Sequence, residues 1–405
     1  MPTRITDNTR APEPLPIADT PQVEVSVVMP CLNEADTLAT CIHKAQKALR
    51  ESAIPGEIIV ADNGSTDGSQ QIAQQAGAHV VPVAAKGYGN ALMGGIAAAH
   101  GEYVIMGDAD DSYDFLQIPS FVHKLREGFD LVQGCRLPAG GGQVLPGAMP
   151  FLHRWWGNPM FSLFARRWFR APINDIYCGL RGFRREFYNR LDQRCTGMEF
   201  ATEMIIKASL YHAKIAEVPI TLHPDGRKAH APHLKTFRDG WRTLRFFLMY
   251  SPRWLFLMPG ILLVLLGLAG YGLALPGVTL GRITFDAHTL LFGSVAILCG
   301  YQSVIFAVFT KTFAISEGLM PPDPRMDRFY EFINLERGLV LGSLALAIGV
   351  GLLFAAIGEW VVADFGHLDY PQTMRWVIPG ATLTAIGFQT ILSSFFASIL
   401  GMHRK

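Results

Sequence analysis

The amino-acid sequence predicts an α/β domain with a mainly parallel sheet, followed by a membrane domain of four helices. Short apolar runs alternate with helical patterns in the first half of the 405-residue chain, and four long stretches of the second half carry no charged residue. Charge is also unevenly spread, because residues 1–252 contain 26 Lys+Arg and 25 Asp+Glu, whereas residues 253–405 contain only 9 of each. This asymmetry excludes a uniform soluble globule and an intrinsically disordered chain.

Five apolar runs have the length and composition of buried strands. They are Val25–Met29, Glu57–Ala61, His79–Val83, Tyr103–Gly107 and Asp130–Gly134. The helical patterns between them cover Asp36–Arg50, Asp67–Ala76, Asn90–Ala99 and Gln117–Glu127. This alternation is typical of a mainly parallel sheet covered on both faces, in which ligands bind beyond the carboxyl ends of the strands.

Four charge-free stretches are near or above the ~20 residues that a helix needs to cross a bilayer. They are Trp254–Pro276, Ala287–Thr310, Gly338–Gly358 and Trp376–Gly401. A backbone in lipid must satisfy its own hydrogen bonds, which favours four transmembrane helices over buried core helices.

Basic residues of the membrane half concentrate in the connection between its second and third spans and at the C-terminus. They are Lys311, Arg325, Arg328, Arg337, Arg404 and Lys405. The positive-inside rule therefore predicts that both termini and the α/β domain are cytoplasmic. The predicted divisions are a disordered N-terminal segment (1–22), the α/β domain (23–235), a juxtamembrane amphipathic helix (236–252) and the membrane domain (253–405).

Signals for secretion and for cysteine-based sites are weak. The N-terminus has no apolar run of the kind found in signal peptides. The six cysteines include no C-x-x-C pair, so we expect free thiols in a reducing cytoplasm, with neither a disulfide framework nor a zinc site.

Asp108 and Asp110 follow the fourth predicted strand and point to the same side of an extended segment. Two such close carboxylates repel each other unless a cation or a proton lies between them. A hard divalent cation that also binds phosphate oxygens is a natural occupant. The alternative is a solvated loop in which Asp110 or Asp111 caps a helix.

Other predicted strand ends carry polar motifs in a distinctive order. Pro30, Asn33 and Glu34 form P-x-x-N-E, and D-N-G-S-T-D-G-S begins at Asp62. K-G-Y-G-N-A then begins at Lys86, before the D-A-D of Asp108. This ordered set resembles the GT-A fold glycosyltransferases of family 2, from about Val23 to Lys235. With the four spans, the chain resembles the polyprenyl-phosphate hexose synthases, the group that contains dolichyl-phosphate mannose synthase. One departure is Asn63, where that family more often has a second Asp.

The resemblance implies a GT-A catalytic domain at 23–235 and a nucleotide-sugar pocket within it. The implied pocket residues are Pro30, Asn33, Glu34, Asp62, Lys86, Gly87, Asn90, Asp108, Arg227 and Lys228. Asp62 meets the base in this assignment, and Arg227 and Lys228 lie on a polar loop near the diphosphate. Asp110, with Asp108, holds Mg²⁺ or Mn²⁺.

A basic and aromatic segment precedes the first span. Nine Arg lie between Arg136 and Arg190 against two acidic residues, and His153–Phe169 and Phe237–Trp254 resemble helices lying in the membrane interface. Adjacency to four spans disfavours nucleic acid as the partner. The candidate ligands of an acceptor-lipid phosphate are Arg136, Arg154, Asn158 and Arg181. Glu199 and Glu203 stay open between structural and catalytic roles.

We therefore expect an enzyme that transfers a hexose from a UDP- or GDP-linked sugar to a polyprenyl phosphate at the cytoplasmic membrane face. Family resemblance implies inversion, with Asp108, Asp110 and Arg136 as catalytic residues. One rival is a processive polysaccharide synthase, although Phe164 replaces the Gln of its Q-x-x-R-W motif. Others are a transferase to a glycerolipid or sphingolipid hydroxyl, with Glu199 or Asp111 as base, and an inactive membrane scaffold. The sugar, the base, the lipid length and a homo-oligomer stay open.

Overall fold

A computed structural model of the chain describes residues 23–227 and 236–401, apart from the side chains of residues 236, 237 and 239. The N-terminal segment 1–22 and Lys228 lie outside the described residues. The described residues form two units, the first comprising 23–158, 173–201 and 214–227, and the second comprising 159–172, 202–213 and 236–401. The second unit thus includes two segments that the sequence analysis assigned to the domain at 23–235.

The first unit is built on a seven-stranded sheet with the order β3-β2-β1-β4-β7-β5-β8. The strands of the chain are β1 (Val25–Cys31), β2 (Gly56–Asp62), β3 (His79–Pro82), β4 (Tyr103–Met106), β5 (Leu131–Cys135), β6 (Gln143–Val144), β7 (Arg181–Arg184), β8 (Ile215–Pro219), β9 (Thr221–Leu222), β10 (Thr279–Leu280) and β11 (Ile283–Thr284). Strand β7 is antiparallel to both β4 and β5, and the other neighbours in this sheet are parallel. The predicted mainly parallel sheet is confirmed.

Strand β1 lies at the point where the strand order reverses, between β2 and β4. At such a point the loops that leave neighbouring strands diverge to opposite faces, which opens a crevice at the carboxyl ends. The α-helices up to residue 210 are, in chain order, α1 (Leu38–Glu51), α2 (Ser69–Gln75), α3 (Tyr88–Ala97), α4 (Ile118–Arg126), α5 (Asn158–Phe169), α6 (Arg185–Leu191) and α7 (Glu199–Leu210). The loops after β1, β2 and β4 therefore meet at one edge.

Burial of one helix face attaches α1 to this sheet. Leu38, Cys41, Ile42 and Ala45 recur at the 3–4-residue spacing of an α-helix, and all four are fully buried. They share one core with Val25, Val27 and Met29 of β1. A rigid helix and strand thus hold the loop between them.

Besides α5 from Pro159 onward and α7 from Thr202 onward, the second unit contains the remaining helices. They are α8 (Thr236–Met249), α9 (Met258–Ala274), α10 (Ala287–Ser316), α11 (Pro324–Phe332), α12 (Leu335–Val362) and α13 (Tyr370–Gly401). Four helical segments, with α9 counted from Arg253, are long and apolar enough to cross a membrane. The observed helices extend past the predicted spans, as α10 does to Ser316, because helix ends at an interface tolerate charged residues such as Lys311.

Glycines bring the long helices together in pairs. A Cβ on Gly260 or Gly267 of α9 would lie within 2.8 Å of a backbone oxygen of α10, and the same holds for Gly349 of α12 against α13. Small residues at such positions allow the close backbone approach on which helix association in lipid depends. The two hairpins α9–α10 and α12–α13 are therefore tightly packed.

Helices are present, with interruptions, in the two segments predicted to lie in the membrane interface, and that location stays a prediction. A π-helical turn, His153–Gly157, leads into α5, and α8 ends at Met249 before a second π-helical turn, Arg253–Leu257. Within the second unit, the Trp168 ring stacks on Trp254 with ring centroids 5.8 Å apart and meets Phe247 edge-on. Aromatic packing therefore joins α5 to the segment that enters the first span.

Candidate active site

The loop after β1 is locked to the loop after β2. Asn33 has a left-handed backbone (φ 61°), which Asn tolerates better than most residues. Its N–H donates to Ser65 Oγ at 2.9 Å, and its Oδ1 accepts from the Thr66 N–H at 2.9 Å. The N–H of Glu34 likewise donates to Ser69 Oγ at 2.9 Å. The two loops form one rigid wall of the crevice.

Asp62 organises the loop in which it lies. Its carboxylate accepts from the Gly64 N–H at 3.0 Å, the Ser65 N–H at 3.2 Å and Gln70 Nε2 at 2.6 Å. The residue is buried, so these bonds offset the cost of removing the carboxylate from water. The predicted contact of Asp62 with a nucleotide base stays a prediction.

Gly87 and Gly89 are required by packing against a neighbouring loop. A Cβ on Gly87 would lie 2.4 Å from the carbonyl oxygen of Thr196, and one on Gly89 would lie 2.4 Å from that of Cys195. The Gly89 N–H also donates to the Thr196 oxygen at 2.9 Å. Lys86 Nζ donates to the carbonyl oxygen of Asn63. The motif therefore anchors the start of α3 to the loop after β2.

Asp108 lies two residues after the end of β4, in a confined position. The Tyr88 hydroxyl donates to its Oδ1 at 2.8 Å, and a Cβ on Gly179 would lie 2.7 Å from its Oδ2. Burial and the neighbouring Asp110 carboxylate raise the pKa of Asp108 to about 6. The two carboxylates thus repel each other, as their spacing in the sequence predicts.

Asp110 is held by its own loop and by a distant arginine. Its Oδ1 accepts from the Ser112 N–H at 3.0 Å and the Ser112 Oγ at 2.6 Å. Its Oδ2 accepts from Arg227 Nη2 at 2.9 Å. Asp111 turns away with a left-handed backbone and pairs with Lys44 at 2.8 Å. Consecutive aspartates therefore have different partners.

The Arg227 guanidinium contacts three carboxylates at once. Besides Asp110, it donates from Nε to Glu34 at 2.8 Å and from Nη1 to Asp225 at 3.2 Å. The backbone just before Arg227 is held in place, because the N–H of Gly226 donates to the carbonyl oxygen of Asp110 at 3.0 Å. Burial would lower the pKa of Arg227, but bonding to Glu34 and the charge of Asp110 raise it. Residues 34, 110 and 227 form one cluster.

The donor set suits a divalent cation that arrives with phosphate. In the part of the chain that the structure describes, no group of three or more His, Cys, Asp or Glu side chains is arranged to hold a metal. Mg²⁺ is usually bound by one or two carboxylates plus substrate phosphates, however, so three protein ligands are not needed. The repelling pair Asp108 and Asp110 fits such an ion.

A buried ion pair lies beyond β5. Arg136 donates from Nε and Nη2 to the two oxygens of Asp175 at 2.7 and 2.8 Å. The Tyr113 hydroxyl accepts from the Gly179 N–H at 2.8 Å and from Arg136 Nη1 at 3.4 Å. Burial and the charge of Arg136 lower the pKa of His153. Tyr113 and Gly179 therefore connect the carboxylate pair to the arginine.

Comparison with known proteins identifies the family. Residues 26–192 match glycosyl transferase family 2, and residues 308–401 match the family 2 C-terminal transmembrane region. The chain is 38% identical over 378 residues to the low-salt glycan biosynthesis hexosyltransferase of Haloferax volcanii, with 93% of this chain and 89% of that protein covered. The chain belongs to the family 2 glycosyltransferases.

Two further comparisons cover the catalytic half of this glycosyltransferase. The dolichyl-phosphate hexose transferase of Haloferax volcanii is 29% identical over 218 residues, which cover 54% of this chain and 89% of that protein. Among solved structures, glucosyl-3-phosphoglycerate synthase from Mycobacterium tuberculosis, in complex with Mn²⁺, UDP and glucosyl-3-phosphoglycerate, aligns with 23% identity and a TM-score of 0.42. That alignment covers 56% of this chain and 78% of the synthase.

The structure brings together some predicted site residues and separates others. Glu34, Asp110 and Arg227 are in direct contact, whereas Pro30 lies at the end of β1 and Asn90 donates to the carbonyl oxygen of Lys86. Arg154 packs on the Trp155 ring, and its buried Nε has no hydrogen-bond partner among the described residues. The buried Asn158 donates to Met149 Sδ.

Arg181 requires a correction. Its side chain is fully buried and donates to the carbonyl oxygens of Cys178, Ala201 and Ile176. Burial lowers its pKa, and backbone oxygens rather than a carboxylate take its hydrogens. Arg181 therefore holds loops together inside the first unit, because a lipid phosphate cannot reach a guanidinium enclosed in this way.

Three residues of the site had no assigned role in the sequence analysis. Tyr88 contacts Asp108, Tyr113 connects Gly179 to Arg136, and Asp175 pairs with Arg136. A weak signal exists for the tyrosines, since Tyr88 lies between two glycines and Tyr113 follows the acidic loop. Asp175 is one of the two acidic residues between Arg136 and Arg190, and no local pattern distinguishes it.

Proposed function

We propose that this glycosyltransferase transfers a hexose from a UDP- or GDP-linked sugar to the phosphate of a polyprenyl phosphate. The observation that carries the proposal is the connection of the carboxylate pair to Arg136 through Gly179 and Tyr113. The carboxylates suit a metal-bound diphosphate, and an arginine beside them suits an anionic acceptor. The name of the dolichyl-phosphate hexose transferase of Haloferax volcanii supports the same acceptor class.

The donor side rests on the loops after β1, β2 and β4. Asp62, Lys86 and Gly87 belong to the wall proposed to receive the nucleoside, together with Pro30, Asn33, Glu34 and Asn90. Asp110 and Asp108 hold the cation, Mg²⁺ or Mn²⁺. When bound, that cation supplies charge stabilisation for the leaving diphosphate.

The acceptor side rests on Arg136, which Asp175 holds in a fixed orientation. The orphaned Nε of Arg154 offers a further donor to a phosphate oxygen. A phosphate acceptor is already anionic at neutral pH, so the protein has only to position its oxygen against the anomeric carbon. Direct displacement at that carbon inverts its configuration.

Contacts within the protein disfavour acceptors that carry a neutral hydroxyl, which need a general base. Of the two candidate bases, Asp111 is already paired with Lys44 at 2.8 Å. Phe164 disfavours a processive synthase, because it stands where the Q-x-x-R-W motif has Gln. Its ring stacks on Trp168 with ring centroids 4.8 Å apart.

The exposed aromatic residues before α5 suit a lipid substrate. Phe151, Trp155 and Trp156 are each more than half exposed. Large aromatic rings beside arginines are typical of surfaces that lie in a membrane interface. We propose that the catalytic domain and both termini are cytoplasmic, as the distribution of basic residues indicates.

The test is a transfer assay on the purified full-length protein. It is incubated with UDP- and GDP-linked hexoses and a polyprenyl phosphate, with Mg²⁺ or Mn²⁺, and the lipid products are identified by mass spectrometry. We expect one polyprenyl-phosphate hexose, its loss in Asp110→Asn and in excess chelator, and its retention in Glu51→Gln, a matched change on the exposed end of α1. Transfer to glycerolipid alone, or full activity of Asp110→Asn, would contradict the proposal.

A further inference from the structure

The Arg227 guanidinium donates a hydrogen bond to one oxygen of the Asp110 carboxylate. Oδ1 of Asp110 is bonded to Ser112, and Oδ2 accepts from Arg227 Nη2 at 2.9 Å. The Arg227 side chain is only 11% exposed, and Glu34 and Asp225 hold it from two further directions. The acidic cluster is thus already partly neutralised by a cation that belongs to the protein.

A metal ion and this guanidinium compete for Asp110. Arg227 Nη2 lies 2.9 Å from Oδ2, and a divalent cation on the same carboxylate would place a second positive charge within a few ångströms of the guanidinium. Two cations so close in a poorly solvated site repel each other strongly. Metal binding at Asp110 therefore favours departure of the Arg227 side chain.

The departing guanidinium stays within reach of the site. The backbone before Arg227 is anchored, because the Gly226 N–H donates to the Asp110 carbonyl oxygen and the His223 N–H donates to that of Ser112. The side chain alone has to move. A nucleoside diphosphate is the partner that suits it, since guanidinium groups bind phosphate oxygens in paired, charge-assisted hydrogen bonds.

We propose that Arg227 and the divalent cation are alternative counter-ions of Asp110, and that the nucleoside diphosphate makes the exchange favourable by accepting Arg227. This inference rests on the proposed function, in which Asp110 holds the metal. It has a thermodynamic consequence: because the diphosphate draws Arg227 away, nucleotide and metal each strengthen the binding of the other. Without nucleotide, the metal has to displace Arg227 and binds weakly.

The test measures Mn²⁺ binding directly, by electron paramagnetic resonance of free Mn²⁺ in titrations of the purified full-length protein. Without nucleotide, we expect Arg227→Gln to bind Mn²⁺ about 10-fold more tightly than the unaltered protein. UDP or GDP, tested separately, should tighten Mn²⁺ binding about 10-fold in the unaltered protein and less than about threefold in Arg227→Gln.

Lys44→Gln is the matched control. It removes the same charge from the neighbouring carboxylate, Asp111, without touching Asp110. We expect its Mn²⁺ affinity to stay within about twofold of the unaltered protein. Equal tightening in Lys44→Gln and Arg227→Gln would overturn the proposal, because general electrostatics would then explain the effect.

The remaining outcomes separate this inference from the proposed function. If Asp110→Asn binds Mn²⁺ as well as the unaltered protein, the metal assignment fails and the inference fails with it. If Asp110→Asn loses Mn²⁺ but Arg227→Gln binds it no more tightly, only the inference is overturned. Should Arg227→Gln not fold, Arg227→Lys decides, since a lysine cannot bridge Glu34 and Asp110 as a guanidinium does; unchanged Mn²⁺ affinity there overturns the inference.

Discussion

Asn63 is the residue at which this chain departs from the usual pattern of its family, and its side chain is fully engaged. Nδ2 donates to the carbonyl oxygens of Val83 and Ala85 at 3.0 and 2.7 Å, while Oδ1 accepts from the Gly87 N–H at 2.8 Å. An aspartate accepts hydrogen bonds only, so it cannot serve the two carbonyl groups. The amide thus ties the loop after β2 to the start of α3.

We predict that Asn63→Asp destabilises the catalytic half by about 3 kcal/mol, because it places a buried carboxylate against two carbonyl oxygens. Thermal unfolding of the detergent-purified protein should show a midpoint lower by roughly 5 °C. Asn189→Asp, the same change at an exposed position of α6, should leave the midpoint unchanged. Equal midpoints for the two variants would contradict this account of Asn63.

Three arginines show that the partner of a charged side chain cannot be predicted from its residue type. The sequence predicts one phosphate site for Arg136 and Arg181. The structure gives them different surroundings, because Arg136 is oriented by Asp175 whereas Arg181 bonds to three carbonyl oxygens inside the first unit. Arg227 was expected near the diphosphate, and its contact with Glu34, 193 residues away, has no local signal. Residue type predicts the chemistry available, but the partner depends on which segments meet.

At the scale of elements, the apolar patterns located five strands of the seven-stranded sheet but neither β8 nor the antiparallel β7. The five predicted strands are present, with ends shifted by at most two residues. Strand β7 has the sequence Arg-Gly-Phe-Arg, which carries no apolar run. It forms because β4 and β5 leave a gap that a backbone fills, with Gly182 pairing in register with both Ile105 and Val132.

In the membrane helices, the role of a glycine likewise depends on which part of a neighbouring helix lies beside it. Gly349 and Gly351 lie two residues apart on α12, in the same apolar stretch. A Cβ on Gly349 would lie 2.4 Å from the backbone nitrogen of Thr384 in α13, whereas a Cβ on Gly351 would meet no atom within 4 Å. The sequence alone does not distinguish the two.

We predict that Gly349→Val separates α12 from α13 and lowers the thermal unfolding midpoint in detergent by several degrees, about the effect of losing 2 kcal/mol of packing. Gly351→Val is the control with the same side chain on the same helix, and its midpoint should match that of the unaltered protein. A lower midpoint for both variants would indicate an effect of valine on the helix itself.

For the whole molecule, the uneven distribution of charge corresponds to a division into a catalytic unit and a membrane unit. The four helices that are long enough to cross a membrane all lie after Pro252. Exposed apolar side chains cover them, including Leu262, Phe292 and Val340. In water such surfaces would cause aggregation, and in lipid they are the expected contact with acyl chains.

We predict opposite membrane faces for two connections of the second unit. Thr279→Cys, in the short hairpin between α9 and α10, should react in intact cells with a membrane-impermeant maleimide. Arg328→Cys, on α11, should react only after permeabilisation, because the positive-inside rule predicts a cytoplasmic location for that connection. The unaltered protein measures background labelling of native cysteines. The reverse pattern would show that the charge rule fails for this chain.

The sequence by itself determined the fold class, the four membrane-length helices and the motifs at the strand ends, because periodicity, length and local turn chemistry are properties of short segments. Only the tertiary structure decided that Arg227 bridges Glu34 and Asp110, that Arg181 is internal and that Gly349 faces a partner helix. These roles depend on contacts between residues far apart in the chain. Such contacts form when the core and the helix pairs pack, and short-range patterns do not contain them.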